Sequence, residues 1–230
     1  MAISAVRKVI THFRKIAAIL AASTIAVAQP AFANDDDFEV WFGPSVEHSL
    51  DDDTKISIQT AQRFRDASNG RADTYYVRGW VHQKVADNVT ISAAAEQRIN
   101  DGGSDEIRTI QQVGTKHGIL RTRLRLEERF VEGNNGRMGV RLRPRLGLRV
   151  PLGEDSPFTA AVDGELFWTL RSTSVGGSTG ITGAETRVGV SYEVSDNLSV
   201  GLKYLRAQSI RSGREDRVSH APLFELNFSF

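Results

Sequence analysis

Apolar and polar residues alternate along most of the chain after residue 37. The last seven residues show this most clearly: large apolar residues alternate with polar ones, and the chain ends on Phe230. Period-two alternation places successive side chains on opposite faces of a β-strand. The same alternation recurs in segments 54–65, 88–99, 137–151 and 157–170. The pattern therefore predicts strands with one apolar face and one polar face.

Turn-forming Asp, Asn and Gly residues divide this part of the chain into eleven extended segments. They are 38–49, 54–65, 74–85, 88–99, 105–115, 119–131, 137–151, 157–170, 182–194, 197–210 and 217–230. Segment 105–115 alternates most poorly, and residues 34–37 form a short acidic leader before the first segment. After the N-terminal region, no window keeps an apolar face at helical spacing over three turns. The sequence predicts one all-β domain over residues 34–230.

The predicted strands are longer than the five or six residues that are usual in globular sheets. They match the roughly 9–11 residues of a tilted strand that crosses a membrane. Aromatic residues also gather near strand ends, as in the interfacial girdles of membrane barrels. We therefore expect an antiparallel transmembrane β-barrel of about 10–12 strands. A periplasmic β-sandwich or a lipocalin-like barrel is the alternative.

The odd number of predicted segments conflicts with the even number of strands that is expected of a bacterial barrel. Eleven segments leave the two ends of the barrel on opposite sides, whereas bacterial barrels have an even number of strands. Gly43-Pro44 would split segment 38–49 into two short strands and give twelve, which we favour. The other solution is that one segment is not a barrel strand, which gives ten.

Residues 1–33 have the organisation of a cleaved signal peptide. Cationic residues 7–15 precede an apolar run at 16–27, and Ala31-Phe32-Ala33 places small residues before the predicted cleavage site at Asn34. The apolar run is too short for a helix across a bilayer of about 30 Å, although an uncleaved anchor is the alternative. Export of residues 34–230 is the expectation.

Charge and cysteine content agree with an exported barrel. The predicted signal peptide contains four of the 29 Lys and Arg residues and none of the 28 Asp and Glu residues, so the mature chain has a net charge near −3. The chain has no cysteine, which excludes a disulfide framework. The histidines lack metal-ligand spacing, so we expect no metal site and no cofactor.

Arginines concentrate on the polar faces of two neighbouring segments. We predict that they line the lumen and form its anion-binding surface: Arg121, Arg123, Arg125, Arg129, Arg141, Arg143, Arg145 and Arg149. A hairpin centred near Gly133 would place Arg125 opposite Arg141, and Arg123 opposite Arg143. Opposed like charges about 5 Å apart destabilise a sheet, so they require acidic side chains or an anionic ligand. Asp163 and Glu165 on the next segment are expected to neutralise part of this charge.

Two functions remain open on these grounds. A basic lumen concentrates anions and repels cations, which favours a small anion-preferring channel or a binding barrel for acidic solutes such as acidic oligosaccharides. Alternatively, arginine and acid ladders cross-link and plug the lumen of a non-conducting barrel. We expect no nucleic-acid binding, because the arginines face a lumen and lack interleaved aromatic residues.

An enzymatic function is the weakest hypothesis. His48 and His220 share the parity of the apolar residues, so an outward-facing hydrolase site is conceivable. However, no serine near either histidine combines outward parity with an acidic residue to orient the imidazole. We therefore expect a protein that is not an enzyme.

Several segments resemble a known family of outer-membrane barrels. The resemblance is carried by the Trp41 strand, the acidic turn at 51–53, Gln62-Arg63-Phe64-Arg65, residues 123–130, Arg141-Leu142-Arg143-Pro144-Arg145 and residues 163–167. The resemblance extends over most of 38–230. In these segments the chain is similar to the barrels catalogued as domain of unknown function 2490. Membership implies a barrel and supplies no activity.

The C-terminal strand has a resemblance of its own. It is similar to the terminal strand by which bacterial outer-membrane barrels are recognised for assembly. This resemblance implies that the protein lies in the outer membrane of a Gram-negative bacterium. The expected partners are the lipid bilayer, the barrel assembly machinery, which would bind the strand that ends at Phe230, and small anionic solutes.

Overall fold

Strands form most of the described part of the chain. The structure is a computed structural model that describes residues 35–65, 73–213 and 215–230. The predicted signal peptide, 1–33, lies outside these residues. None of the described residues forms a helix of the length and apolar character needed to cross a membrane.

Twelve strands occur in the described residues, and their bounds follow the predicted segments closely. They are β1 (Asp35–Phe38), β2 (Val40–Ser49), β3 (Thr54–Phe64), β4 (Thr74–Ala86), β5 (Val89–Asn100), β6 (Glu106–His117), β7 (Leu120–Val131), β8 (Met138–Pro151), β9 (Phe158–Arg171), β10 (Gly180–Ser195), β11 (Leu198–Ser209) and β12 (Arg217–Ser229). The alternation pattern predicted these bounds because every second side chain of a strand lies on the same face of the sheet.

The strands close into an all-β barrel through a parallel seam. Each strand from β2 to β12 pairs antiparallel with the next one along the chain. β12 also pairs with β2 in parallel, from Leu223 opposite Trp41 to Ser229 opposite Glu47. β1 lies against an earlier part of β12, with Asp35 opposite Arg217. β1 and β2 thus follow one another along the same edge of β12, and the barrel has eleven strand positions.

This closure corrects the predicted N-terminus. β2 runs through Gly43 and Pro44 without interruption, so the predicted split there is wrong, and so is the ten-strand alternative. Part of the predicted acidic leader, from Asp35, forms β1. The prediction of a wholly antiparallel barrel fails at the seam. In an antiparallel series with an odd number of strands, the first and last strands run in the same direction. Such a barrel can therefore close only through a parallel pair.

The barrel has two distinct ends. One, called the turn end here, carries short turns such as those at 87–88, 118–119 and 196–197, together with Phe230. The other, called the loop end, carries the connections β3–β4, β5–β6, β7–β8, β9–β10 and β11–β12. Strands β3 to β12 therefore run between these two ends.

The two faces of the barrel wall differ sharply in chemistry, as predicted. The outer face exposes large apolar side chains, including Phe224, Leu226, Phe228 and Phe230 of the C-terminal stripe. The inside buries many charged side chains, whereas the buried apolar cluster found among the described residues is small and consists of Leu205, Ala221 and Leu223. A soluble globular protein distributes these residue types the opposite way.

The β7–β8 hairpin determines which arginines face one another. Its connection has positive φ angles at Gly133, Asn135 and Gly136. The resulting register places Arg123 opposite Arg145 and Arg125 opposite Arg143, so the predicted register is wrong by two residues. A shift of two residues keeps every side chain on its face, so the predicted inward facing is unaffected.

Candidate functional site: the charged lumen

Glu127 on β7 is the centre of the charged interior. Its side chain is fully buried and accepts hydrogen bonds from Arg141 Nη2 at 2.6 Å and Arg143 Nη1 at 2.9 Å. Arg125 and Arg108 lie farther away, at 3.8 and 3.9 Å from its carboxylate oxygens. The register explains the contact, because Glu127 lies directly opposite Arg141. One carboxylate thus neutralises part of the charge of four guanidinium groups.

The acids of β9 form a second group of ion pairs. Glu165 contacts Arg123, and it lies 3.0 Å from Arg143 Nε and 3.4 Å from Arg187 Nη2. Asp163 lies 2.5 Å from Arg145 and 2.9 Å from Arg187. The predicted neutralisation by Asp163 and Glu165 is therefore observed.

Glu96 and Glu106 extend the network to the strands before β7. Glu96 pairs with Arg78 and lies 3.0 Å from Arg98 and 3.4 Å from Arg108. Glu106 lies 2.7 Å from Arg108 and 2.5 Å from Arg129. We call this ion-pair network the charge cluster; its acids are Glu96, Glu106, Glu127, Asp163, Glu165 and Glu185.

The inward positions of Glu106 and Arg108 were not predicted. They lie on β6, where inward Ile110 and outward Gln111 interrupt the alternation of polar and apolar residues. The available signal was the register: Arg108 lies opposite Arg129 across β6 and β7. An arginine that pairs with an inward arginine also faces inward, since opposed residues in a sheet share a face.

Aromatic rings support several guanidinium groups of the lumen. The ring centroid of Phe167 is 4.2 Å from Arg143 Cζ and 4.9 Å from Arg141 Cζ. Trp80 lies 5.1 Å from Arg125 Cζ on the opposite side of the barrel interior. Stacking on aromatic faces holds these guanidinium planes in place, so the cluster is ordered by packing as well as by charge.

A cavity of about 490 Å³ opens into the lumen at the turn end. We call it the vestibule. Its lining includes eight cationic residues, Lys55, Lys84, Lys116, Arg121, Arg123, Arg145, Arg149 and Lys203. The acidic residues that line it are Asp52, Asp53, Asp87 and Asp163. Positive charge thus predominates on the vestibule wall.

A second cavity of about 490 Å³ continues toward the loop end. We call it the inner cavity. It shares His82, Gln112, Arg123 and Arg145 with the vestibule lining, so these four residues mark the junction between the two. Ten arginines line the inner cavity: Arg63, Arg78, Arg98, Arg108, Arg123, Arg125, Arg141, Arg143, Arg145 and Arg187.

Few acids line the inner cavity. Its acidic lining residues are Glu165, Glu185 and Glu225, whereas Glu96 and Glu127 are almost fully buried and are not part of the lining. The surface that a solute meets is therefore richer in guanidinium groups than the overall composition of the lumen.

The structure distributes the eight predicted site residues over three places. Six of them belong to the charge cluster, and all of these except Arg129 line the inner cavity: Arg123, Arg125, Arg141, Arg143 and Arg145. Arg129 pairs with Glu106 outside both cavities. Arg121 and Arg149 line the vestibule only. Arg121 donates to the backbone oxygens of Gly118 at 2.5 Å and Leu120 at 2.9 Å.

Histidine and acidic residues elsewhere have structural contacts. His48 Nδ1 lies 3.0 Å from the carbonyl oxygen of Phe230, and His220 Nδ1 lies 2.5 Å from the Tyr204 hydroxyl. In the β2–β3 turn, backbone N–H groups of Asp53 and Thr54 donate to Asp51 and lower the pKa of its carboxyl group. Within the described residues, no group of three or more acidic or histidine side chains is arranged to hold a metal ion.

Comparison with known proteins places the chain in a family. A search of the curated proteins found no match. A solved chain from the study "Unveiling the Mechanism Behind the in-meso Crystallization of Membrane Proteins" is similar, with 11% identity, 78% coverage of each chain and a TM-score of 0.41. A family model described as "Protein of unknown function (DUF2490)" matches residues 38–219. The chain therefore belongs to this family, whose members have no assigned function.

Proposed function

We propose that this protein is a bacterial outer-membrane β-barrel whose basic lumen admits small anionic solutes in preference to cations. The apolar outer face and the strand lengths support insertion into a bilayer. The predicted signal peptide supports export, and the apolar outward stripe of β12 supports recognition by the barrel assembly machinery. The proposal includes no enzymatic activity.

The observation that carries the proposal is the cationic lining of both lumenal cavities. Each cavity has more cationic than acidic lining residues, and arginine is the most frequent residue in the lining of the inner cavity. In a confined space with low-dielectric walls, such a surface concentrates anions and repels cations. Arginine also binds carboxylates and phosphates through two parallel hydrogen bonds. Small acidic solutes, such as acidic oligosaccharides, are the substrates that this chemistry favours.

A non-conducting structural barrel is the second candidate. It is favoured by the charge cluster, in which Glu127 and Glu165 connect arginines from several strands across the lumen. Such connections fill the interior of small barrels. The distinction between the two candidates depends on whether ions pass the junction at Arg123 and Arg145.

Planar-bilayer recording of the refolded mature protein tests the proposal. We expect conductance steps, and a reversal potential in a salt gradient that indicates anion preference. Absence of steps would favour the structural barrel, and cation preference would contradict the proposal.

The junction arginines allow a sharper version of this test. The double variant Arg123→Gln, Arg145→Gln should lower anion preference, because it removes two charges from the junction between the cavities. Glu165 and Asp163 both retain Arg187 as a partner, so neither acid is left unpaired. Arg206→Gln is the control, because Arg206 lines neither cavity. Unchanged selectivity in the double variant would show that these residues do not control passage.

A further inference from the structure

Three cations of the vestibule lack the acidic partners that the other cations have. Lys55, Lys84 and Lys203 lie near Glu47, Asp87 and Glu225 at 2.8, 3.2 and 2.6 Å. Arg123 and Arg145 pair with Glu165 and Asp163. The remaining three, which we call the cationic triad, are Lys116, Arg121 and Arg149. Within residues 35–65, 73–213 and 215–230, they form no ion pair.

The triad residues are neighbours on three consecutive strands. Lys116 lies directly opposite Arg121 across β6 and β7. Arg121 lies opposite Gly147 on β8, and Arg149 follows two residues later on the same face. Opposed side chains in a sheet are about 5 Å apart and diagonal ones about 7–8 Å apart. Three positive charges therefore share a small part of the vestibule wall.

The triad lies on the wall of the vestibule. Gly147 lines the vestibule between Arg121 and Arg149, and Asp163 packs against it, since a Cβ at position 147 would lie 2.8 Å from the Cβ of Asp163. Lys116 and Arg149 are exposed, so their charged groups are accessible from the cavity. The vestibule volume of about 490 Å³ lies within the range of about 300–1,000 Å³ that is typical of small-molecule sites. A macromolecule would not fit.

We infer that the cationic triad is a binding site for a small multivalent anion, such as a polycarboxylate or a phosphorylated solute, that enters from the turn end. Repulsion among three neighbouring cations is relieved when an anion with several charges binds between them. The site deepens the proposed function and rests on it for the access of anions to the lumen. It is separate from the charge cluster, whose arginines already have carboxylate partners.

Calorimetric titration of the mature protein in detergent with citrate and with acetate tests this site. Citrate has three carboxylates and should bind more tightly than acetate. The triple variant Lys116→Gln, Arg121→Gln, Arg149→Gln should lose citrate affinity on the order of tenfold or more, because charge-assisted hydrogen bonds are lost. Absence of citrate binding to the wild type would overturn the inference.

A matched control removes the same number of charges elsewhere. Arg137→Gln, Arg171→Gln, Arg206→Gln changes three loop-end residues that line neither cavity, and it should retain citrate affinity. Equal loss in both triple variants would overturn the site, because the effect would then come from net charge. Arg149→Gln alone should weaken citrate binding more than Arg149→Lys, which keeps the charge, and this pair of single variants tests the site if the triple variant fails to fold.

The two proposals fail in different ways. Cation preference in the bilayer experiment would contradict the proposed channel while leaving citrate binding measurable in detergent. Citrate binding that is unchanged in the triad variant would contradict the site while leaving anion preference intact.

Discussion

The charge cluster and the cationic triad of the vestibule both carry positive side chains, but these are paired with acids in the cluster and unpaired in the triad. In the charge cluster, Glu127 and Glu165 are fully or nearly fully buried and each contacts three or more arginines. In the vestibule, Lys116 and Arg149 are exposed, and among the described residues they have no acidic partner. An arginine-rich lumen thus combines a part that holds the barrel together with a part that is free to bind.

The difference shows that a count of arginines does not identify a binding surface. A buried charge requires a partner, because its desolvation costs several kcal/mol. The charge cluster meets this requirement within the chain. An exposed cation remains hydrated and does not require a partner, so the cationic triad can remain available to a ligand. Variants in the two regions should consequently affect different properties.

The largest effect is expected from Glu127→Gln. The substitution removes the carboxylate that Arg141 and Arg143 share, and it should lower the free energy of unfolding by about 3–5 kcal/mol. Urea unfolding in detergent, followed by circular dichroism, measures this. Glu128→Gln is the matched control: Glu128 is the next residue, faces outward and accepts a hydrogen bond from Thr109, so its loss should cost about 1 kcal/mol. Equal costs for both variants would argue against the structural role of the cluster.

An intermediate effect is expected from a ligand. If citrate binds the folded vestibule, a concentration one hundred times its dissociation constant should raise the free energy of unfolding by about 2.7 kcal/mol. The same unfolding experiment with and without citrate measures the increase. The triple variant of the cationic triad should show little of this citrate-dependent increase. Glu127→Gln should keep most of the increase if the charge cluster and the triad are independent. Loss of the citrate effect in Glu127→Gln would show that the regions are coupled.

The smallest effect on stability is expected from Lys116→Gln. Lys116 is exposed and faces Arg121, so the substitution removes repulsion and breaks no ion pair. The free energy of unfolding should change by less than about 0.5 kcal/mol, with a slight increase as the expected direction. A loss of more than about 1 kcal/mol, which is well beyond the usual range for surface substitutions, would show that Lys116 has a structural partner.

Much of the fold was predictable from alternation. The segment bounds agree with the strands to within a few residues, and the outward facing of Phe158, Leu166 and Trp168 follows from their even positions. The inward facing of Arg123 and Arg143 follows from the same rule. These features depend only on neighbouring residues, because side chains alternate along any extended chain.

The ion pairs of the site were less predictable than the face of the sheet on which each charged side chain lies. The sequence placed Asp163 and Glu165 near Arg145 and Arg143, since they lie on consecutive strands. It did not reveal Glu106 and Arg108, because β6 alternates poorly around Ile110. It also could not separate Arg121 and Arg149 from the paired arginines, since this depends on which acids reach each guanidinium group across the lumen.

By itself, the sequence determined an all-β chain with a polar inside and an apolar outside, because period-two alternation is a local property of the backbone. Only the tertiary structure decided the parallel closure of β12 with β2, the β7–β8 register and the division of the lumen into paired and unpaired cations. These features depend on contacts between residues far apart in the chain, whose geometry is set by turns and by the closure of the whole barrel.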